Sequence, residues 1–390
     1  MQNGEGIPQS QIQRNIGVLY SWFPTWIKQS AWNLRRITEE YDTKPRRVKS
    51  LYELQPNSTK PNFNKLRMKR GPAIIVGAGP SLDYNVEKLK KSKMPTFVPE
   101  TLVGTLKYHG VRTDYVMNYD CAQHWEPYLK GLDVKNDTLI THPAVDPELI
   151  EEWPGEKIYY LMHHIAEVER STLIDGMSLD DMIETIKKQV FGSEFFEAMN
   201  PILYPQIQTT ILNAGCVVNN AIQVANFMGY GPLFLVGVDL GFVNDQSRAK
   251  NYYMKKGKWE LSEPVHGITT ENVGRTLYTS NNGIVTTEEM MEYKLALMSI
   301  YRIEKSQLYD CSDGIITELP KLDITEVIKK NGKGFRHRDF QTIERICLDY
   351  FDRWDAISDE RNVDRKSEEV RSAVDEGARP DQQPVEAGGG

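Results

Sequence analysis

Three short apolar runs in this chain each end in residues suited to phosphate chemistry. One runs into the turn Gly77-Ala78-Gly79-Pro80-Ser81, one ends at Asp120 and one ends at Asp239. Main-chain amides freed by glycine bind phosphate oxygens at a helix start, and one or two carboxylates hold Mg²⁺ against a polyphosphate. Gly77 and Gly79 admit φ > 0 and let a ligand come close to the backbone. Pro80 fixes φ and removes a donor, while Ser81 is suited to cap the helix or to bond a phosphate oxygen. The turn is neither a full GxGxxG fingerprint nor a P-loop, because no Gly-Lys-Ser/Thr follows. A tight strand-to-helix turn without a ligand is the plainer reading.

Asn213 and Gly215 precede an apolar helix and form a second candidate anion site. Asp120 and Asp239 are candidates for Mg²⁺ ligands or for the base toward an acceptor hydroxyl, set against the plainer role of strand-end aspartates. His266, with Lys255, Lys256 and Lys258, lies in a polar stretch and could stabilise a leaving phosphate; a surface histidine is the plainer reading. The adjacent pair His163-His164 is not a metal spacing.

The elements that must position these groups read as an α/β chain. Ala73–Val76, Pro95–Pro99, Thr113–Asp120, Asp137–His142, Lys157–Leu161, Pro232–Leu240 and Gln307–Cys311 are short and rich in β-branched residues, as buried strands are. Thr101–His109, Cys216–Met228 and Glu288–Lys305 read as helices between them. The alternation predicts a Rossmann-like, doubly wound, mostly parallel sheet with helical N-terminal and C-terminal additions. Its ligand crevice would lie at the carboxyl ends of the strands, where the Gly77–Ser81 turn and Asp120 both fall.

Flanking this core, residues 1–68 read as a helical accessory segment and linker. Its aromatic helices, interrupted by Pro24, are expected to form a hairpin packed on the main domain, with a protein-partner or membrane-surface role as the bolder reading. Residues 69–345 form the expected main domain, with a polar lid segment at about 244–280. Residues 346–390 read as a helix end and a disordered charged, Gly-rich tail. Ala166–Met199 suggests an inserted cap without chemistry.

Composition narrows the class. The 390 residues carry a net charge of −7, with 26% charged and 40% hydrophobic residues, which suits a globular protein and argues against a nucleic-acid binder. Cys121, Cys216, Cys311 and Cys347 are scattered, without a CxxC pair, as reduced thiols are. No signal peptide or transmembrane run is read, so a cytoplasmic protein is expected.

The ordered set of motifs resembles the MptE-like family, which groups archaeal 6-hydroxymethylpterin diphosphokinases with the flagellar motility accessory factors (Maf). The matching pieces are Ile75 to Leu82, Leu106 to Val116 closing at Asp120, Gly215 to Gly229, and Leu235 to Leu240. A degenerate closing turn, Asp310 to Gly314, completes the set, which covers roughly residues 70–320. The resemblance implies a nucleotide donor held at the Gly77–Ser81 turn, either ATP with Mg²⁺ or a nucleotide sugar such as a CMP-nonulosonic acid. The acceptor it implies is a hydroxymethylpterin or another small molecule or glycan. The expected reading is therefore a diphosphokinase-like transferase, with glycosyl transfer or a non-catalytic scaffold as alternatives.

Overall fold

The structure, a computed structural model, describes residues 9–54, 70–120, 125–163, 202–207, 209–212, 215–261, 269–271, 274–304 and 307–334. The described residues all fall within one compact unit, Met1–His337, and residues 338–390 lie outside the described residues. Asn213, His164, His266, the Ala166–Met199 stretch and the 346–390 tail likewise lie outside them.

The chain opens with one helix, α1 (Gln9–Asp42), rather than the expected hairpin. A proline inside a helix removes a hydrogen bond and crowds the preceding turn. Here the helix runs through Pro24, and its C-terminal half is anchored on the fold. Trp26, Ser30, Asn33 and Ile37, spaced at one helical face, are all buried. Asn33 donates to the carbonyls of Pro143 and Val145, both at 2.9 Å.

Next comes β1 (Val48–Ser50), then β2 (Gly71–Val76), α2 (Leu82–Leu89), β3 (Thr96–Pro99) and α3 (Val103–Tyr108). β4 (Tyr115–Met117), α4 (Glu126–Leu129), β5 (Thr138–Thr141), α5 (Pro147–Glu152) and β6 (Lys157–Tyr159) continue the alternation. After a short pair of strands, β7 (Leu161–His163) and β8 (Thr210–Leu212), α6 (Val217–Phe227) leads into β9 (Tyr230–Val236). Two hairpins follow, β10 (Tyr252–Lys255) with β11 (Lys258–Leu261) and β12 (Leu277–Thr279) with β13 (Val285–Thr287). α7 (Glu288–Glu304), β14 (Leu308–Asp310) and α8 (Ile324–Lys329) close the described chain.

Eight strands form one sheet in the order β1-β6-β5-β4-β3-β2-β9-β14. Every neighbouring pair in it is parallel. The apolar runs are what such a sheet needs, since both faces are covered: Ile74, Val76, Val98, Val116, Leu139, Phe234 and Val236 are fully buried in one cluster. This is the doubly wound α/β fold expected from the alternation. From β2 the chain builds outward to β6 on one side, then returns to add β9 and β14 on the other. The order reverses between β2 and β9, and in open α/β sheets ligands bind at such a reversal, outside the carboxyl ends.

Two further differences from the sequence expectation stand out. β1, within the segment expected to be accessory, is the far edge of the main sheet. The polar stretch expected to be a loop carries strands, because Lys256 and Gly257 both hold φ > 0, at 49° and 76°, and close a two-residue hairpin. That hairpin rests on α3 by stacking Tyr252 on Tyr108, with centroids 4.0 Å apart. Among the described residues, no helix is long and apolar enough to cross a membrane.

Candidate functional site

The β2–α2 turn and the end of β9 meet at the reversal point. Gly77 donates its N–H to Val236 at 2.8 Å, and Gly79 donates to Gly237 at 2.7 Å. The approach is so close that a Cβ on Gly77 would stand 2.5 Å from the Gly237 carbonyl. A Cβ on Gly79 would overlap the Asp239 carboxylate. Glycine is required here because chain meets chain, whatever else binds.

Asp239 is 1% exposed and spans two loops. Its Oδ2 accepts from Ser81 N–H at 2.7 Å, and its Oδ1 accepts from Asp313 N–H at 2.9 Å. Ser81 makes no side-chain capping bond, so Asp239 supplies the anion at the start of α2 that sequence assigned to Ser81 or to a phosphate. Burial pushes the Asp239 carboxyl up, and the Ser81 and Asp313 amides oppose the shift. Both oxygens are committed to main-chain donors inside the fold, so this carboxylate does not fit an Mg²⁺ that must also meet a substrate phosphate. The 242–251 segment lies over the same turn. Ala249 donates to the Ala78 carbonyl at 2.9 Å, and Lys250 N–H donates to Asp83 at 2.8 Å.

The carboxyl ends of β3, β4 and β5 hold a second polar group. Glu100 directly follows β3 and is 3% exposed. Burial raises its pKa to about 8; its own backbone opposes the shift, the nearby Asp120 adds to it, and an Asn118 hydrogen bond opposes it. Thr141 donates to Asn118 Oδ1 at 3.2 Å, which leaves the Asn118 amide nitrogen to face Glu100. Asp120, at the end of β4, is exposed beside this group and fits a single carboxylate ligand for Mg²⁺ or a base. His142 is fully buried: its Nε2 donates to the Tyr119 carbonyl at 2.9 Å and its Nδ1 accepts from Ala144 N–H at 3.3 Å. Burial lowers its pKa to about 4, so it is a neutral packing group.

On the other flank, α2 and the β14–α8 connection border an open cleft of about 380 Å³. Tyr84, Lys88, Asp313, Lys321 and Asp323 line it. Tyr84 donates its phenol to the Asp313 carboxylate. Asp310, fully buried at the end of β14, forms an ion pair with Lys321 Nζ at 2.6 Å and accepts from Ser312 N–H at 2.8 Å. Its pKa is raised to about 6 by burial, against the pull of Lys321.

Of the residues singled out from sequence, the fold brings Gly77, Gly79, Pro80, Ser81 and Asp239 together and sets Asp120 two strands away on the same edge. Gly215, at φ +81°, leads into the start of α6. Lys255 and Lys258 lie on the β10–β11 hairpin, where Lys255 pairs with Glu260 at 3.4 Å. Among the described residues, no group of three or more His, Cys, Asp or Glu side chains is arranged to hold a metal. Glu100 escaped the sequence reading and Asp310 entered it only as the start of the closing turn, although each is a carboxylate ending a strand run, the signal that marked Asp120 and Asp239.

Compared with known proteins, the chain matches the family described as "MptE-like: 6-hydroxymethylpterin diphosphokinase MptE-like" over residues 49–245, half of its length. That span runs from β1 to just beyond β9 and so contains both sides of the reversal point. No curated protein matches the chain. Among solved structures, a MAf glycosyltransferase from Magnetospirillum magneticum AMB-1 is similar at 18% identity and a TM-score of 0.43. The likeness covers 76% of this chain and 39% of that one.

Proposed function

The chain belongs to the MptE-like family, and from that membership we propose that it is a nucleotide-dependent transferase moving diphosphate from ATP to a hydroxymethylpterin-type acceptor. The observation that carries the reading is the placement of the matched span, residues 49–245, over the strands that meet at the reversal point. In this reaction the acceptor hydroxyl oxygen bonds to the β-phosphorus of ATP. The bond from that phosphorus to the α-phosphate oxygen breaks, and AMP leaves. The acceptor proton passes to a base, and Asp120, the exposed strand-end carboxylate, is the described residue that suits it. Mg²⁺ would, if bound, supply charge neutralisation to the polyphosphate; Asp239, with both oxygens on main-chain amides, does not suit it as a ligand, and Asp120 would serve it only in place of the base role.

Incubation of the protein with ATP, Mg²⁺ and 6-hydroxymethyl-dihydropterin tests the reading. AMP and pterin diphosphate are expected, and Asp120→Asn should slow their formation by roughly a hundredfold or more. No AMP release would remove the diphosphokinase reading. Release of CMP, UDP or GDP from a nucleotide sugar in its place would convert the protein to a glycosyltransferase. Indifference to every nucleotide in a thermal-shift screen would leave a scaffold.

A further inference from the structure

Resting on the transferase reading, we propose that the cleft between α2 and the β14–α8 connection takes the phosphate chain of the nucleotide donor, with Lys88 and Lys321 as its cations. A polyphosphate needs donors and positive charge. The amides of Gly77, Gly79 and Ser81 already serve the chain's own acceptors. Lys88 and Lys321 line one cleft beside that turn, at the carboxyl end of the sheet.

Both ammonium groups are held in place by buried partners. Lys88 Nζ donates to Asn85 Oδ1 at 2.8 Å. Asn85 is 4% exposed and in turn bonds the Ser81 carbonyl at 3.0 Å, the residue that α2 starts from. Lys321 Nζ is ion-paired with the fully buried Asp310 and donates to the Ser312 carbonyl. An ammonium has three donors, and the Lys321 side chain is 46% exposed, so one is left for a ligand.

The rim carries the complementary groups. Asp313 and Asp323 are exposed carboxylates on the same cleft, acceptors of the kind a ribose diol requires. Tyr84, 45% exposed, places an aromatic ring at the mouth. The volume of about 380 Å³ lies within the range of small-molecule sites. This arrangement puts the donor on the β9–β14 flank and leaves the Asp120 flank, across the Gly77–Ser81 turn, to the acceptor. Lys321, Asp313 and Asp323 all lie beyond the span matched by the family, residues 49–245.

Calorimetric titration of the full chain with inorganic pyrophosphate and with ATP, with and without Mg²⁺, tests the assignment. Both should bind. Lys88→Met should weaken them about tenfold or more, the size of one charge-assisted phosphate contact. Lys321→Met would strand the Asp310 carboxylate, so it is paired with Asp310→Asn, with thermal melts reporting folding; the same loss is expected. Lys88 makes only a part-buried contact, so Lys88→Met alone keeps the test decisive if the double variant fails to fold. The proposal falls if the wild type binds neither probe, or if Lys88→Met binds within about twofold of wild type. It also falls if Lys255→Met/Lys258→Met on the hairpin loses pyrophosphate while Lys88→Met keeps it. Pyrophosphate binding that depends on Lys88, without AMP formation from ATP and the pterin, would sink the diphosphokinase reading alone.

Discussion

Asp239 and Glu100 are both buried carboxyl groups at strand ends of one parallel sheet, yet they are supported in different ways. Asp239 has a main-chain N–H on each oxygen, one from the start of α2 and one from the loop after β14. Glu100 leans on its own backbone and on a single side-chain amide, with Asp120 adding negative charge nearby. Two oriented amides offset much of the cost of burying a carboxylate; one amide beside a second acid does not. The first flank of the edge is therefore locked architecture. The second keeps a group that holds its proton at neutral pH next to an exposed acid.

The sharpest way to break this comparison is Asp239→Ala. It would leave the Ser81 and Asp313 amides unsatisfied in a closed environment and release both loops at once. A loss on the order of 4 kcal/mol is expected in denaturant unfolding. Asp239→Asn would keep one acceptor and turn an NH₂ toward the other amide, at roughly half that cost. A neutral outcome for both would mean the two amides find other partners, and the clamp would lose its meaning.

Glu100→Gln tests the other flank through pH. The folded-state pKa of Glu100 is raised to about 8 from the ordinary 4.5. Its contribution to stability is therefore fully present below about 4.5 and is lost as pH rises toward 8. Wild-type stability should fall by on the order of 2–3 kcal/mol from this group between about pH 5 and 7. The glutamine variant should lack that slope. His142 tilts the curve the opposite way. Its pKa is lowered to about 4 from 6.5, so its contribution is present above 6.5 and is lost as pH falls toward 4. Equal slopes in wild type and Glu100→Gln would place Glu100 in contact with water after all.

How much of this was legible in the sequence follows from the range of the interactions. The strands were legible because Ala73–Val76 and Leu233–Val236 are buried on both faces, and such runs carry their own signal. The glycines of the turn were legible as glycines, but their reason was not. Gly79 meets Asp239 and Ser81 bonds it across 158 residues, and no local pattern reports which strand becomes the neighbour of β2. Pro24 misled in the opposite sense: a local rule that breaks helices was outweighed by the burial of Trp26, Asn33 and Ile37 on the sheet flank. The hairpin at Lys256-Gly257 was hidden by its polar composition, although the glycine and the flanking Tyr252 and Trp259 were a usable signal.

Gly79→Ala sharpens the clamp at lower cost. The added methyl would meet the Gly237 carbonyl at 2.7 Å and overlap the Asp239 carboxylate, so one loop must shift. Roughly 1–3 kcal/mol is expected, the range of overpacked sites. The size of the loss should shrink in an Asp239→Ala background, because the larger obstacle is gone. Strict additivity of the two would show that the turn and the carboxylate are independent.

The smallest effect belongs to the rim. Tyr84→Phe removes the phenol that donates to Asp313 while leaving the ring at the mouth of the cleft. Tyr84 is 45% exposed, so water replaces the lost partner, and a loss of only about 0.5 kcal/mol is expected. Burial, and then the bond to Asp313, hold this phenol above its ordinary pKa, so the wild-type contact should persist well into alkaline conditions. A loss as large as that of Asp239→Ala would mean that Asp313 relies on Tyr84, rather than on its own main chain, to hold Asp239. The locked flank would then extend to the mouth of the cleft, and the contrast with the Glu100 flank would lie in the length of the hydrogen-bonded chain instead of the kind of donor.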